Sequence, residues 1–135
     1  SAADPHVWET TIMNEIKHDD ADLVFHTLKK IEIVVKGQQE KFVCDLLQSC
    51  GVTGYTLIRD VAGMGHHGFH EGRLLFNDQA SLVMTMAVAP EETIREVASG
   101  LKPLLEKHSG VMFVTDTQVL RLEHFLRKEE AEAGA

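Results

Sequence analysis

Residues 54–68 read Gly54-Tyr55-Thr56-Leu57-Ile58-Arg59-Asp60-Val61-Ala62-Gly63-Met64-Gly65-His66-His67-Gly68, a β-branched run that leads directly into a glycine-rich loop. Three glycines and two histidines occur within six residues of that loop. Because glycine accepts positive φ and lets a ligand approach the main chain, the amides of Gly63, Gly65 and Gly68 can face a phosphate or a similar anion. A hairpin tip in which glycine only makes the turn has the same composition. The loop alone leaves both interpretations open.

Six runs of β-branched and apolar residues around this stretch predict extended segments. They are Lys30–Val35, Val52–Val61, Arg73–Phe76, Ser81–Val88, Val111–Val114 and Gln118–Leu122. The glycine-rich loop extends from Ala62 to about Glu71, and Asn77-Asp78 predicts a turn or bulge between the third and fourth runs.

Two helices are predicted between these segments. Apolar residues at helical spacing predict one over residues 38–50, which Gly51 ends. Pro90-Glu91-Glu92 opens the second, since proline suits the first helical position and acids favour the positive end of the helix dipole; Ser109-Gly110 ends it. The order strand, helix, strand, strand, helix, strand predicts an α+β, ferredoxin-like βαββαβ sandwich, with a four-stranded antiparallel sheet and both helices on one face. The other face is then free to pair with copies of the chain.

The folded domain is expected to span residues 28–126. Residues 1–27 show no clean period and predict an N-terminal extension, partly introduced by cloning, with a helix near Thr10–Lys17. The charged, small-residued segment 127–135 predicts a disordered tail.

Composition excludes several classes of partner. The chain has 135 residues and a net charge of −8, which argues against nonspecific binding to nucleic acid or to an anionic membrane. No apolar run approaches the ~20 residues needed to span a bilayer, and the N-terminus lacks a signal pattern. Cys44 and Cys50 match no zinc or redox spacing, so we expect reduced thiols in a cytoplasmic protein.

Three further groups of residues are candidates for a site. His66, His67 and His70 suit an anion contact better than a metal, because no cysteine is near and the spacing is not that of a helical zinc site. The turn at Ser109-Gly110 either contacts a ligand or simply joins a helix to a strand. Arg121 shares a predicted strand face with Glu123, so its guanidinium either clamps a phosphate or pairs with that carboxylate. No nucleophile elbow, P-loop or helical HExxH motif occurs, and the sequence therefore predicts a protein that is not an enzyme.

Five segments, taken in order and spacing, resemble the PII signal-transduction family. They are the opening strand Lys29–Val35, the helix end and second strand Cys50–Thr56, the T-loop base Gly63–Gly68, the B-loop and its strand His108–Val114, and the C-terminal arginine strand Gln118–Leu122. The resemblance covers about residues 28–125. It implies a homotrimer with adenine nucleotide bound in the clefts between subunits and a T-loop that touches a partner protein.

The resemblance also implies which residues hold the nucleotide. The adenine and phosphate side would be lined from one subunit by Thr56, Gly63, Met64, Gly65 and His66, and the cleft would be completed by Ser109, Gly110, Val111 and Arg121.

The chain departs from the family pattern in three places. The loop between Gly68 and Arg73 is much shorter than the family's T-loop and lacks its modifiable tyrosine. Val111 stands at the B-loop lysine position, and Glu123 stands at the second arginine of the C-terminal pair. Each lost charge-assisted contact is worth roughly 1.5–3 kcal/mol. We therefore predict that ADP or AMP binds in preference to ATP.

The pattern most resembles the short-looped PII-like proteins associated with carboxysomes and inorganic-carbon uptake. That likeness implies a bicarbonate ligand, with His66, His67 and Gly68 as its donors, and an inorganic-carbon transporter as a partner. The same resemblance implies that the protein needs neither a metal nor a cofactor. The alternative is a CutA-like trimer that binds metal through His66, His67 and His70.

Overall fold

The computed structural model describes residues 7, 9–11, 13, 23–65, 68–70 and 81–126, with the backbone alone at residues 64, 65 and 68–70. Its main sheet has four strands: β1 (His26–Lys36), β2 (Tyr55–Val61), β5 (Leu82–Ala89) and β6 (Gly110–Val119). They lie in the order β2-β5-β1-β6, and all neighbours are antiparallel. Two helices, α1 (Glu40–Ser49) and α2 (Glu91–Lys107), complete the βαββαβ order. The predicted α+β, ferredoxin-like fold is confirmed.

The end of α1 follows from its sequence. Gly51 has φ 82°, which glycine adopts without strain, and the amides of Gly51 and Val52 donate to the carbonyls of Gln48 and Leu47 at 3.1 and 3.0 Å. These two bonds form a Schellman motif. The prediction that Gly51 ends the first helix is therefore confirmed.

One face of the sheet packs on both helices. Alternate residues of β1 and β5 point to this face, because side chains of a strand alternate between its two sides. Together with the inner faces of α1 and α2 they form the core, whose most buried members are Ile31, Ile33, Val35, Val43, Leu47, Val97 and Leu101. Among the described residues, neither helix is long and apolar enough to cross a membrane.

Two predictions about strands are wrong. The glycine-rich loop contains a small two-stranded sheet, β3 (Gly63–Gly65) paired with β4 (Gly68–His70). The last two extended segments are one strand, since β6 pairs with β1 along ten consecutive positions, from His26–Val119 to Val35–Gly110. Its polar residues break the hydrophobic pattern but are tolerated because β6 is an edge strand and is solvated on one side.

Other predictions fall partly or wholly beyond the described residues. The segment Arg73–Phe76 and the turn Asn77-Asp78 lie outside them, as does the tail 127–135. In the N-terminal extension, residues 7, 9–11 and 13 are helical, so the helix there includes residues before the predicted Thr10.

Candidate functional site

The sheet face opposite the helices is open and largely apolar. Cross-strand register places its side chains in two rows, Thr56-Met86-Glu32-Phe113 and Ile58-Met84-Val34-Val111. Phe113 is 53% exposed, and Ile58 and Val111 are also exposed. A face with so many large apolar groups in solvent is typical of an interaction surface.

The two halves of the predicted site lie at opposite edges of this sheet. Thr56 is on edge strand β2 and Val111 is on edge strand β6. Three inter-strand spacings separate these strands, which amounts to roughly 14 Å. Gly63 follows β2, and Ser109-Gly110 opens β6. A single chain therefore does not bring its two predicted sets of ligand residues together.

Gly110 has a packing reason to be glycine. A Cβ there would lie 2.9 Å from Leu105 Cδ2, 3.0 Å from Val35 Cγ1 and 3.1 Å from the Val34 carbonyl oxygen. The end of α2 and the last residues of β1 thus leave no room for a side chain. Close packing explains this glycine whether or not a ligand approaches it.

Arg121 is not on a strand, and that prediction is wrong. β6 ends at Val119, and Arg121 precedes a 3-10 turn, Leu122–His124. The Arg121 Nε still lies 4.0 Å from Glu123 Oε1, and both side chains are more than two-thirds exposed. An exposed pair at this distance is weak, so a phosphate can compete with Glu123 for the guanidinium.

A cavity of about 320 Å³ adjoins Thr56. Residues of strands β2 and β5 line this cavity, and so do His124 and Phe125 from the C-terminal end of the described chain. The Thr53 hydroxyl donates to the His124 carbonyl oxygen at 2.7 Å and ties this turn to the start of β2. The sequence indicated Thr56 but not Lys30, His124 or Phe125 as residues of this site. His124 and Phe125 were missed because no local pattern indicates that the chain end returns to β2.

A second, wider depression lies at the other end of β2. It has a volume of about 550 Å³ and is lined in part by Glu40, Arg59 and Asp60. Arg59 donates from Nε and Nη2 to the two oxygens of Glu40, each at 2.9 Å, and this bond lowers the Glu40 pKa. Asp60 has φ 59° at the bulge between Arg59 and Val61. The strand therefore changes direction just before β3.

Tyr55 lines the first cavity, and its hydroxyl has a shifted pKa. The neighbouring Cys44 thiol raises the Tyr55 pKa from 10.0. Cys44 and Cys50 are both free thiols, as expected from their spacing.

The nitrogen regulatory protein P-II model matches residues 28–124 of the chain. The chain belongs to the P-II family. CPII, a nitrogen regulatory PII-like protein from Thiomonas intermedia, is 42% identical, with a TM-score of 0.74 over 78% of this chain and 99% of that one. That structure is bound to ADP, AMP and bicarbonate. A second structure of the same protein, bound to ADP and bicarbonate, is 41% identical, with a TM-score of 0.70 over 76% of this chain and 98% of that one.

A putative PII-like signalling protein from Thermus thermophilus shares the fold. It is 20% identical, with a TM-score of 0.65 over 75% of this chain and 97% of that one. No curated protein matches the chain significantly. The resemblance to the PII family is confirmed, and the protein is a PII-like regulator.

The comparisons give no support to the CutA-like alternative. His66 and His67 lie outside the described residues, as does the side chain of His70. In the described part of this P-II chain, no group of three histidine, cysteine or acidic side chains is placed to hold a metal.

The predicted ligand residues Gly63, Met64 and Gly65 form strand β3 of the small β3–β4 sheet, which follows β2 in the chain.

Proposed function

We propose that this P-II protein is a homotrimeric sensor that binds ADP or AMP together with bicarbonate in the clefts between its subunits. The observation that carries the proposal is the bound ADP, AMP and bicarbonate of the 42%-identical Thiomonas intermedia protein, 99% of which the chain covers. The short loop after Gly68 would report the bound state to a partner. An inorganic-carbon transporter, met in the cytoplasm or beside a carboxysome, is the partner proposed.

The positions of the proposed ligand residues support a shared cleft. Thr56 lies on edge strand β2, and Gly63, Met64 and Gly65 lie on β3 directly after it, whereas Ser109 precedes edge strand β6, which begins with Gly110 and Val111. A nucleotide that touches both sets needs the β2 edge of one copy beside the β6 edge of another. The open apolar face supplies a surface on which such copies can associate.

The preference for ADP or AMP over ATP rests on two side chains. Val111 offers no charge where a lysine would hold a phosphate, and Glu123 lies beside Arg121. Both reduce the positive charge available to a third phosphate.

Replacing Val111 with lysine should shift the preference toward ATP. We expect Val111→Lys to raise ATP affinity about tenfold or more, because a charge-assisted hydrogen bond to phosphate is added. AMP affinity should change little. The control is Val114→Lys, an exposed valine of the same strand, measured by titration calorimetry. Equal gains for AMP and ATP would contradict the proposed role of residue 111.

Bicarbonate is proposed to bind beside the glycine-rich segment, where His66, His67 and the amide of Gly68 are available as donors. The double variant His66→Ala/His67→Ala should abolish the effect of bicarbonate on nucleotide binding, and His26→Ala should not. Bicarbonate binding that survives the double substitution would contradict this assignment.

The deciding experiment is titration calorimetry with AMP, ADP and ATP, each with and without bicarbonate, in metal-free buffer. Binding of AMP or ADP that bicarbonate strengthens, with ATP weaker, is the expected result. If no adenine nucleotide binds, the proposed function is wrong.

A further inference from the structure

Four large apolar side chains lie in solvent at one end of the β1–β6 pair. Leu23, Val24 and Phe25 precede β1, Leu120 follows β6, and each of the four is more than half exposed. They lie at the same end because the first residue of β1 pairs with the last residue of β6. We call this group the β1-end patch. A cluster of exposed apolar side chains is typical of an interaction surface.

Most of this patch is additional to the family domain. The match to the P-II model begins at residue 28, after three of the four patch residues. The Thiomonas intermedia protein is covered to 99% by 78% of this chain, so the remaining 22% has no counterpart there. The surface that covers the patch therefore has to follow from features of this chain.

The segment before the patch, residues 1–22, is rich in apolar side chains, and we call it the N-terminal arm. Five large apolar residues occur within ten positions of it: Val7, Trp8, Ile12, Met13 and Ile16. At residues 7, 9–11 and 13, where the structure describes the arm, the backbone is helical and every residue is exposed. Helices in proteins are stabilised mainly by packing of an apolar face. The described part of the chain does not provide that packing.

The patch of a second copy is the surface that fits the arm. Within one chain, Val7 and Met13 of the arm are more than half exposed, and so is the patch, so neither covers the other. The nine residues 14–22 separate Met13 from the patch, and a segment of that length spans at most roughly 30 Å. This reach suffices for a neighbouring copy in an assembly whose subunits are in contact. In a closed ring each copy gives one arm and receives one, so every patch is covered.

The charge of the arm argues against a membrane as its partner. Residues 1–22 contain six acidic residues and one lysine. Segments that lie on anionic membranes are instead rich in lysine and arginine. An apolar protein surface is therefore the kind of partner that fits the arm, and the β1-end patch is such a surface.

We propose that the N-terminal arm of each copy packs its apolar residues on the β1-end patch of a neighbouring copy, so that the subunits exchange arms. This inference rests on the homotrimer of the proposed function. It adds a contact between subunits that is separate from the open face of the sheet and from the nucleotide cleft.

Trp8 allows a direct test, because it is the only tryptophan of the chain. Its emission in the unaltered protein should lie at shorter wavelength than in a free peptide of residues 1–22, and acrylamide should quench it less. The double variant Phe25→Asp/Leu120→Asp should shift the emission to longer wavelength, because unpaired carboxylates oppose burial of the patch. The matched control is Phe42→Asp, which places the same charge at an exposed phenylalanine on α1 and should cause no shift.

Mixing two chains identifies the copy whose patch is used. The double variant keeps Trp8 and is refolded with an excess of a Trp8→Phe chain, which has an intact patch and no tryptophan. If arms are exchanged, the arm of the variant packs on an intact patch and the emission returns to shorter wavelength. If the emission of the mixture stays at long wavelength, each arm packs on its own chain and the proposal is overturned.

Phe25→Ala tests the same contact without an added charge. It should shift the Trp8 emission in the same direction as the double variant, by a smaller amount, because part of the apolar contact is lost. Light scattering gives the mass of each variant. Where the double variant does not assemble, Phe25→Ala decides, and an unchanged emission in an assembled Phe25→Ala protein overturns the proposal.

The outcomes separate the two proposals. If the unaltered protein is a monomer, the homotrimer of the proposed function fails and the exchange of arms fails with it. If it is a trimer that binds AMP, but its Trp8 emission equals that of the free peptide, only the exchange of arms is overturned.

Discussion

Two buried threonines show how single residues limit the stability of this fold. Thr85 on β5 is 1% exposed and Thr93 on α2 is fully buried, and neither hydroxyl has a hydrogen-bond partner among the described residues. A buried hydroxyl without a partner costs about 1–3 kcal/mol. Thr85 faces Ile33 and Leu57 in the register of the sheet, so its surroundings are apolar.

Thr85→Val should therefore stabilise the protein. We expect the free energy of unfolding to rise by about 1–2 kcal/mol, because valine has nearly the same shape and no unsatisfied hydroxyl. Denaturant unfolding measures the change. Thr115→Val, at an exposed position on β6, is the control and should have little effect. A loss of stability in Thr85→Val would indicate that its hydroxyl makes a bond in the assembled protein.

At the scale of elements, one ion pair joins the first turn of α1 to the end of β2. Glu40 and Arg59 form a bidentate pair with both contacts at 2.9 Å, and Glu40 is the less exposed partner, at 27%. The hydrogen bond from Arg59 lowers the Glu40 pKa below 4.5. A carboxylate whose pKa is lowered on folding stabilises the fold above its unfolded pKa, and that contribution is lost as the pH falls through the folded value.

Glu40→Gln should consequently destabilise the protein in a pH-dependent way. The melting temperature of the variant should be below that of the unaltered protein at about pH 7, and the two should converge as the pH falls below 4.5 and through the lowered Glu40 pKa, where the carboxylate is protonated. Thermal melts across this range test the prediction. Glu106→Gln, whose carboxylate has no ion pair among the described residues, should show no such convergence. A difference that does not depend on pH would exclude the ion pair as its cause.

At the scale of the whole molecule, the open face of the sheet determines whether the protein associates. Phe113 is 53% exposed in one chain and lies on edge strand β6 of that face, while the helix layer buries the other face. Full burial of such a side chain is worth roughly 1.5–3 kcal/mol, which favours covering it with another copy.

Phe113→Asp should dissociate the proposed trimer, because a buried carboxylate without a partner opposes association. Light scattering coupled to size exclusion gives the mass. Phe42→Asp places the same charge at an exposed position on α1 and should leave the assembly intact. A Phe113→Asp variant that keeps the mass of the unaltered protein would exclude this face as the interface.

Most of the fold could be predicted from local patterns. The β-branched runs, the acidic start of α2 and Gly51 at the end of α1 each act within a few residues, so the order of elements follows from the sequence. The β3–β4 sheet was missed because three-residue strands are too short to show a period. β6 was divided in two because the polar Thr115-Asp116-Thr117 interrupts its pattern, although pairing with β1 continues through it.

The sequence by itself determined the element order, the helix ends and the family, since these depend on local periodicity and on motifs that keep their spacing. Only the tertiary structure decided which residues share a site. It placed Thr56 and Val111 at opposite edges of one sheet, and it brought Phe125 to Thr56 through a hydrogen bond between residues 53 and 124. The physical reason is that strand pairing and chain return join residues far apart in sequence, and no local pattern records which partners they find.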